Sequence, residues 1–262
     1  MKIATFNINN VNRRLPSLLR WLRSAKPDVV ALQELKAADG DFPVAAIEKA
    51  GYGAVWRGQK TWNGVAILAR NAEPVLTRTA LPGDADDHEA RYIEAAVKGI
   101  IVTSLYLPNG NPQPGPKFDY KLAWFERLRM HANSLRDGGG AVVLAGDFNV
   151  VPTDADIYNA WLWRFDAVLQ PQTRQAHQLL LAQGWVDATR RLYPKERIYT
   201  FWVNDAAFRR NAGFRMDFLL LNPALAPALA CTGVDTEHRG RYKASDHAPV
   251  WIELHGDGPC PA

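Results

Sequence analysis

Apolar residues recur along the chain with two periods. Runs rich in β-branched and aromatic residues, bounded by turn formers, predict strands at Lys2–Ile8, Asp28–Gln33, Gly64–Ala69, Tyr92–Val97, Ile101–Leu107, Ala141–Phe148, Met216–Leu221 and Ala248–Leu254. A helical period appears in Leu15–Ala25, where Leu15, Leu18, Leu19, Leu22 and Ala25 share a face and Pro16 falls in the first turn, where a missing N–H is tolerated. It appears again in Lys117–Asp137, with Phe118, Leu122, Phe125, Leu128, Ala132 and Leu135 stepping by threes and fours; "DGGG" at Asp137–Gly140 ends that helix. A third helix is expected over Thr173–Gln183, stopping at Gly184. Loops fall at Leu81–Arg91, Leu107–Pro116 and Val151–Asp156. The order reads as two similar halves, each a strand, a helix and further strands, with no linker-like or low-complexity segment.

Six of these apolar runs end in polar residues, and in open α/β sheets ligand sites lie beyond strand ends. In "ATFNINN" Asn7 and Asn9 point to one side of the strand, although Asn is also common in turns. "DVVALQELK" ends on Glu34, with Lys36 on the same side; a solvated strand end explains that equally. Tyr106 and Asn109 follow "TSLYLPNG", where a Tyr is more often packing than chemistry. In "VVLAGDFNV" Asp147 and Asn149 share a face; a strand-to-loop cap is the alternative, but a functional role is the better account because Gly146 permits close approach of another group. Asp217, in "FRMDFLLLN", puts a carboxylate inside an apolar strand and so requires a buried cation or His as partner. Asp246 and His247, adjacent in "SDHAPV", point oppositely and do different jobs.

Composition narrows the chemistry. At 262 residues, 47% hydrophobic and 22% charged, the chain can bury a sizeable core. Net charge is +4 and 21 of the 31 basic residues are Arg, which suits an anionic partner without requiring one; codon usage explains the Arg excess equally well. The two cysteines, Cys231 and Cys260, make neither a zinc spacing nor a disulfide framework, which points to a reducing compartment. A strand beginning at Lys2 leaves no room for a signal peptide, and no apolar run approaches a membrane span, so a cytoplasmic location is expected. There is no "GxSxG" for Ser-His-Asp catalysis. Hard oxygen ligands with little His and no Cys suit Mg²⁺ or Mn²⁺, and the whole set reads as metal-assisted phosphoester hydrolysis.

The ordered set "FNIN", "LQELK", "SLYLPNG", "GDFNV", "FRMD" and "SDHAPV", spanning Lys2 to about Leu254, resembles the exonuclease III / AP endonuclease family, Mg²⁺-dependent DNA-repair nucleases of the endonuclease–exonuclease–phosphatase superfamily. The resemblance implies a four-layer α/β sandwich, two mixed β-sheets face to face with helices on both outer sides. It implies one catalytic domain over residues 1–255; the tail at 256–262, "GDGPCPA" with Cys260, is expected from its composition to be flexible. The implied activities are 3′→5′ exonuclease on duplex DNA and endonuclease 5′ to abasic sites, by a monomer that binds double-stranded DNA with abasic sites or 3′ ends. It also implies roles. Glu34 is the main metal ligand, with Asn7, Asn9 and Asp246 near the ion. Asp147 orients or deprotonates the attacking water. Asn149 and His247 hold the scissile phosphate, Asp217 pairs with His247 and keeps it protonated, Tyr106 contacts the phosphate or assists proton transfer, and Asn109 positions nearby groups.

DNA contacts are expected from Lys36, Arg91, Arg215, Trp62 and Asn63, each of which solvated surface chemistry explains about as well. Phe201 and Trp202 of "YTFW", with Phe214, resemble the family's abasic-site pocket, and core packing is the better account of one of the three. Two departures stand out. Asn10 replaces a Gly common after "NIN", a change that left-handed Asn backbone accommodates; residues 158–174 lie where members differ most. The competing readings are a superfamily phosphoesterase acting on a lipid, an inositol phosphate or RNA, and a catalytically inactive DNA-binding relative.

Overall fold

The computed structural model describes residues 1–255; the expected tail, Cys260 with it, lies outside the described residues. Six strands, β1 (Lys2–Asn7), β2 (Val29–Gln33), β3 (Tyr52–Arg57), β4 (Val65–Arg70), β11 (Leu229–Val234) and β12 (Val250–Leu254), form one sheet in the order β11-β12-β1-β2-β4-β3. A second sheet, in the order β5-β6-β7-β8-β10-β9, contains β5 (Val75–Arg78), β6 (Tyr92–Val97), β7 (Ile100–Tyr106), β8 (Ala141–Asp147), β9 (Val186–Asp187) and β10 (Asp217–Leu221). Both sheets are mixed: β1 pairs parallel with β2 and β7 with β8, while β12 and β10 run antiparallel to β1 and β8.

Side chains alternate across each strand, so each sheet has two apolar faces to cover. The inner faces cover each other: Ile3, Ala31 and Ile67 of the first sheet share a cluster with Ile93, Val102, Val143 and Leu219 of the second. Helix α1 (Val11–Ala25) covers the first sheet's outer face, laying Leu18, Trp21 and Leu22 on Phe6 and Leu32. After the short helix α2 (Val44–Lys49), helices α3 (Pro116–Asp137) and α4 (Pro171–Leu181) cover the second, with Trp124, Phe125, Leu128 and Leu180 against Leu105, Leu144 and Phe218. Each fully buried side chain of this size contributes roughly 1.5–3 kcal/mol of transfer free energy. The result is the four-layer α/β sandwich. No helix among the described residues is long and apolar enough to cross a membrane.

Helix α1 starts four residues before the expected Leu15. Asn10, with φ 86°, accepts a hydrogen bond from Arg13 N at 2.9 Å and caps the helix there. Pro16 therefore lies inside the helix, not in its first turn. Asn10 does adopt the positive φ that its Gly-like position requires.

Register brings the site together. The parallel pairs end together, with Asn7 opposite Gln33 and Tyr106 opposite Asp147. Asp217 opens β10 directly across from Asp147. The loop that carries Asp246 and His247 enters β12, whose Val250 lies opposite Thr5 of β1. Close approach at Gly146 is intrasheet: a Cβ there would sit 2.0 Å from the Leu105 carbonyl oxygen. Strands from both sheets thus deliver polar termini to one edge of the sandwich.

Candidate active site

Asn7 ties the two sheets together at that edge. Its Nδ2 donates to Glu34 Oε1 at 2.9 Å and to Asp147 Oδ2 at 3.0 Å, so one buried amide bridges two carboxylates from opposite sheets. Asn9 Nδ2 donates to Asp246 Oδ1 at 2.8 Å, and Ser245 Oγ donates to the Asn7 carbonyl at 2.7 Å, which fixes the loop before β12. Glu34, Asn9 and Asn149 all have positive φ, at 52°, 47° and 44°. Backbone of this kind at non-Gly residues is sparsely populated and concentrates at functional sites.

Asp147 is 1% exposed. Burial pushes its carboxyl up to about 7, Asp217 adds to the rise, and His247 opposes it. His247 is also buried. Burial alone would discharge it, but Asp217, whose Oδ2 lies 2.8 Å from Nδ1, outweighs burial together with Asp147 and Asp246, and the imidazole is pushed up to about 10. Its Nε2 lies 3.8 Å from Asp147 Oδ2, too far for a direct hydrogen bond, so both groups keep capacity for a third. Thr200 Oγ1 donates to Asp217 Oδ2 at 2.6 Å. The buried partner expected for Asp217 is therefore His247.

Asn149 donates its backbone N–H to Asp147 Oδ1 at 2.9 Å and Nδ2 to the Leu107 carbonyl at 2.8 Å, while Asn109 Nδ2 reaches Asn149 Oδ1 at 3.3 Å. The Tyr106 hydroxyl is held far above its ordinary range by burial and by the charges of Glu34 and Asp147, and so stays a neutral donor. Lys121, a buried residue of α3, donates Nζ to the carbonyls of Pro108, Asn109 and Asn149 at 2.9, 3.2 and 2.7 Å. Burial drives its ammonium down to about 7, with Asp147 and Asp166 opposing. Sequence reasoning missed it, yet a signal existed: position 121 lies on the apolar face of its helix, three after Phe118 and four before Phe125.

Carboxylate and ring-nitrogen atoms of Glu34, Asp147 and His247 lie within 4.8 Å of one another. A His that is cationic, with Nδ1 engaged by Asp217, is not a metal ligand. The donor set that fits a hard divalent cation is oxygen: Glu34 and Asp246 with the amides of Asn7 and Asn9. Lys36 Nζ lies 2.7 Å from both Glu34 Oε2 and Asn9 Oδ1, balancing that charge.

Around this polar floor a cavity of about 270 Å³ has an apolar wall of Trp163, Val168, Phe201, Val203, Phe214 and Met216. Phe201 and Phe214 were expected there. Trp202 is not part of it: its ring packs on Phe208, beside Tyr199, Ala207 and Ala248, and its Nε1 donates to Asn211 at 3.3 Å. Phe201 makes isolated bridges to Phe214 and His247 beside the cavity, and the next side chain along the chain faces away.

The expected DNA contacts divide. A wider cleft of about 1190 Å³ next to the cavity is lined by Lys36, Trp62, Asn63 and Arg91. Trp62 is 72% exposed above Lys36, and the Arg91 guanidinium lies 5.0 Å over the Tyr106 ring. Asn63 is buried and donates to Glu89. Arg215 overturns its expectation: it is 1% exposed, with Nε 2.6 Å from Asp156 and Nη1 2.7 Å from Asp187, so its fork is spent inside the fold.

Residues 4–247 match the Endonuclease/Exonuclease/phosphatase family. The chain is 32% identical to exodeoxyribonuclease III of Haemophilus influenzae, over 97% of this chain and 100% of that one. Among solved structures, the 3′ phosphatase NExo from Neisseria bound to a product DNA hairpin superposes with a TM-score of 0.94 at 40% identity, covering 98% of this chain and 100% of that one. An AP endonuclease from Archaeoglobus fulgidus superposes with a TM-score of 0.92 at 35% identity, over 97% and 99% of the two chains.

Proposed function

The chain belongs to the endonuclease/exonuclease/phosphatase family, and from that premise we infer that it is a DNA-repair nuclease of the exonuclease III / AP endonuclease branch, hydrolysing phosphodiester bonds of DNA. Its finer activities are 3′→5′ exonucleolysis on duplex DNA and incision 5′ to abasic sites. Residues 1–255 act as one catalytic domain, and the protein works as a cytoplasmic monomer.

The observation that carries this reading is the pairing of Asp147, a carboxyl pushed up to about 7, with His247, an imidazolium pushed up to about 10, 3.8 Å apart and both buried. A carboxylate in that range aims water and takes its proton at neutral pH, while a fixed cation stabilises the charge that builds on the phosphoryl oxygens. Asn149 and Tyr106 add donors to the same oxygens, and Asn109 holds Asn149 in place. Asp217 fixes the ring orientation and charge of His247. Glu34, with Asn7, Asn9 and Asp246, would hold Mg²⁺, for which Mn²⁺ is the natural substitute. When bound, that cation neutralises phosphate charge and stabilises the leaving 3′-oxygen. Phe201 and Phe214 wall the space that takes a baseless sugar.

A second reading has its own support. The 40% identity with a 3′ phosphatase supports a 3′-terminal phosphate as a further substrate for the same centre. A side-by-side panel tests both: abasic duplex, blunt duplex, 3′-phosphorylated duplex, RNA and phospholipid, each in Mg²⁺. Turnover confined to the DNA substrates is expected. Turnover of phospholipid or RNA with DNA left intact overturns the nuclease reading.

A further inference from the structure

Residues 161–165, in the segment between β8 and α4, read Trp-Leu-Trp-Arg-Phe. Trp163 turns inward, packs edge-on against Phe214 with ring centres 5.0 Å apart, and lines the catalytic cavity. Its neighbours turn outward: Trp161 is 67% exposed and Phe165 72%. A soluble surface rarely groups such residues without a partner.

The backbone beneath them is pinned. Asn159 Oδ1 accepts from Trp161 N at 3.1 Å, Gln113 Nε2 donates to the Phe165 carbonyl at 2.9 Å, and Gln170 Nε2 donates to the carbonyls of Arg164 and Asp166 at 3.0 and 2.9 Å. Asn111 Nδ2 also holds the Asp166 side chain, at 3.0 Å, which ties the segment to the loop that carries Asn109. The Arg164 guanidinium lies 4.1 Å from the Trp161 ring centre and 4.4 Å from that of Phe165, and Nη1 donates to the Trp161 carbonyl at 2.7 Å. The surface therefore combines two fixed aromatic rings, a cation between them and direct continuity with the cavity through Trp163. Its charge is complementary to phosphate, and flat rings suit nucleobases, which offer a π-face whatever their sequence.

We propose that Trp161 and Phe165, held by Arg164, form a stacking platform for the bases of the DNA strand next to the nucleotide that enters the cavity. This rests on the nuclease reading above and adds a site for bases outside the catalytic centre. Rings prearranged on a pinned backbone lose little freedom on binding, so the platform favours strand ends and gaps whose bases are free to leave the duplex stack.

The test uses duplex DNA carrying 2-aminopurine next to its 3′-terminal nucleotide, bound to the full chain in EDTA, where stacking quenches the probe. The wild type is expected to quench it. The double variant Trp161→Ala/Phe165→Ala is expected to lose the quench and, in Mg²⁺, to raise KM by roughly tenfold or more for each ring removed, with kcat changed less. Phe165→Leu, which keeps the bulk but not the flat face, should show part of the same loss and guards against misfolding of the double variant. Unchanged quenching and KM in folded variants overturn the platform. So does a wild-type dimer that these substitutions dissociate, since the patch is then a contact between copies. A wild type that acts on phospholipid or RNA and leaves every DNA intact shows instead that the nuclease reading itself has failed.

Discussion

Nδ1 of His247 lies 2.8 Å from Oδ2 of Asp217, and both groups are buried. Burial alone would discharge the imidazole; Asp217, with Asp147 and Asp246 nearby, outweighs it, and the imidazole is pushed up to about 10. The folded value lies above the unfolded one of about 6.5, so the pairing's stabilisation is complete below about pH 6.5 and is lost as pH rises through about 10. The alkaline limb of kcat/KM should therefore lie near pH 10 in the native protein and move toward about 6.5 in Asp217→Asn. A pH–rate profile checks this, and an unmoved alkaline limb would remove His247 as the cation of the site.

Lys121 donates to the carbonyls of Pro108, Asn109 and Asn149 from inside the fold. Lys121→Met keeps the length and leaves three carbonyls unserved. A stability loss of about 3 kcal/mol is expected, with kcat falling more than KM rises because Asn109 and Asn149 lose their support. Thermal melting and kinetics well below the melting temperature separate the two effects. Full activity in a folded Lys121→Met protein would show that those loops hold their place without it.

Arg91 and Arg215 should behave in opposite ways. Arg91 lines the open cleft, so Arg91→Ala is expected to weaken DNA binding and lower the salt slope by about 1. Arg215 is locked between Asp156 and Asp187; Arg215→Ala is expected to cost about 3–5 kcal/mol of stability and leave the salt slope unchanged. Binding titrations across salt concentrations, with melting curves beside them, distinguish the residues. A lower salt slope for Arg215→Ala would put it back on the DNA surface.

Phe201 and Trp202 are adjacent in sequence and face opposite ways. Trp202→Ala should destabilise by about 3–5 kcal/mol, as a large core deletion does. Phe201→Ala should keep most of the stability and change the ratio of abasic-site incision to exonuclease rate, because it enlarges the cavity wall. Measuring that ratio in both variants checks the assignment, and a ratio that shifts only in Trp202→Ala contradicts it.

The central strands were legible because their runs are rich in β-branched and other apolar residues: Tyr92–Val97 matches its expected bounds, and β1, β2, β7, β8 and β10 differ from theirs by a residue or two. The missed strands lack that signal. β5 is exposed along its whole length, β3 and β11 contain Gly, and β9 has two residues. At the site, a carboxylate inside an apolar strand marked Asp217 as needing a partner, whereas the alternation expected for Asn7 and Asn9 stops at Asn7, where β1 ends, and Asn9 turns to φ 47°. The local pattern could not tell which neighbour across the sandwich that partner was, because His247 is 30 residues away and arrives through tertiary packing. Arg215 misled for a related reason: two acids distant in sequence, Asp156 and Asp187, close around it only in the fold. Trp163, Val168 and Met216 were missed as cavity wall because nothing in their local pattern separates a wall from a core.

The most direct measurement of the central claim is incision of duplex DNA carrying one abasic-site analogue, by wild type and Asp147→Asn, in Mg²⁺ and in EDTA. Wild type should cut immediately 5′ to the lesion in Mg²⁺ and not in EDTA. Asp147→Asn should lose roughly a thousandfold or more of the rate while binding the same duplex about as tightly. Cutting in EDTA, or a folded Asp147→Asn protein that cuts at the wild-type rate, would contradict it.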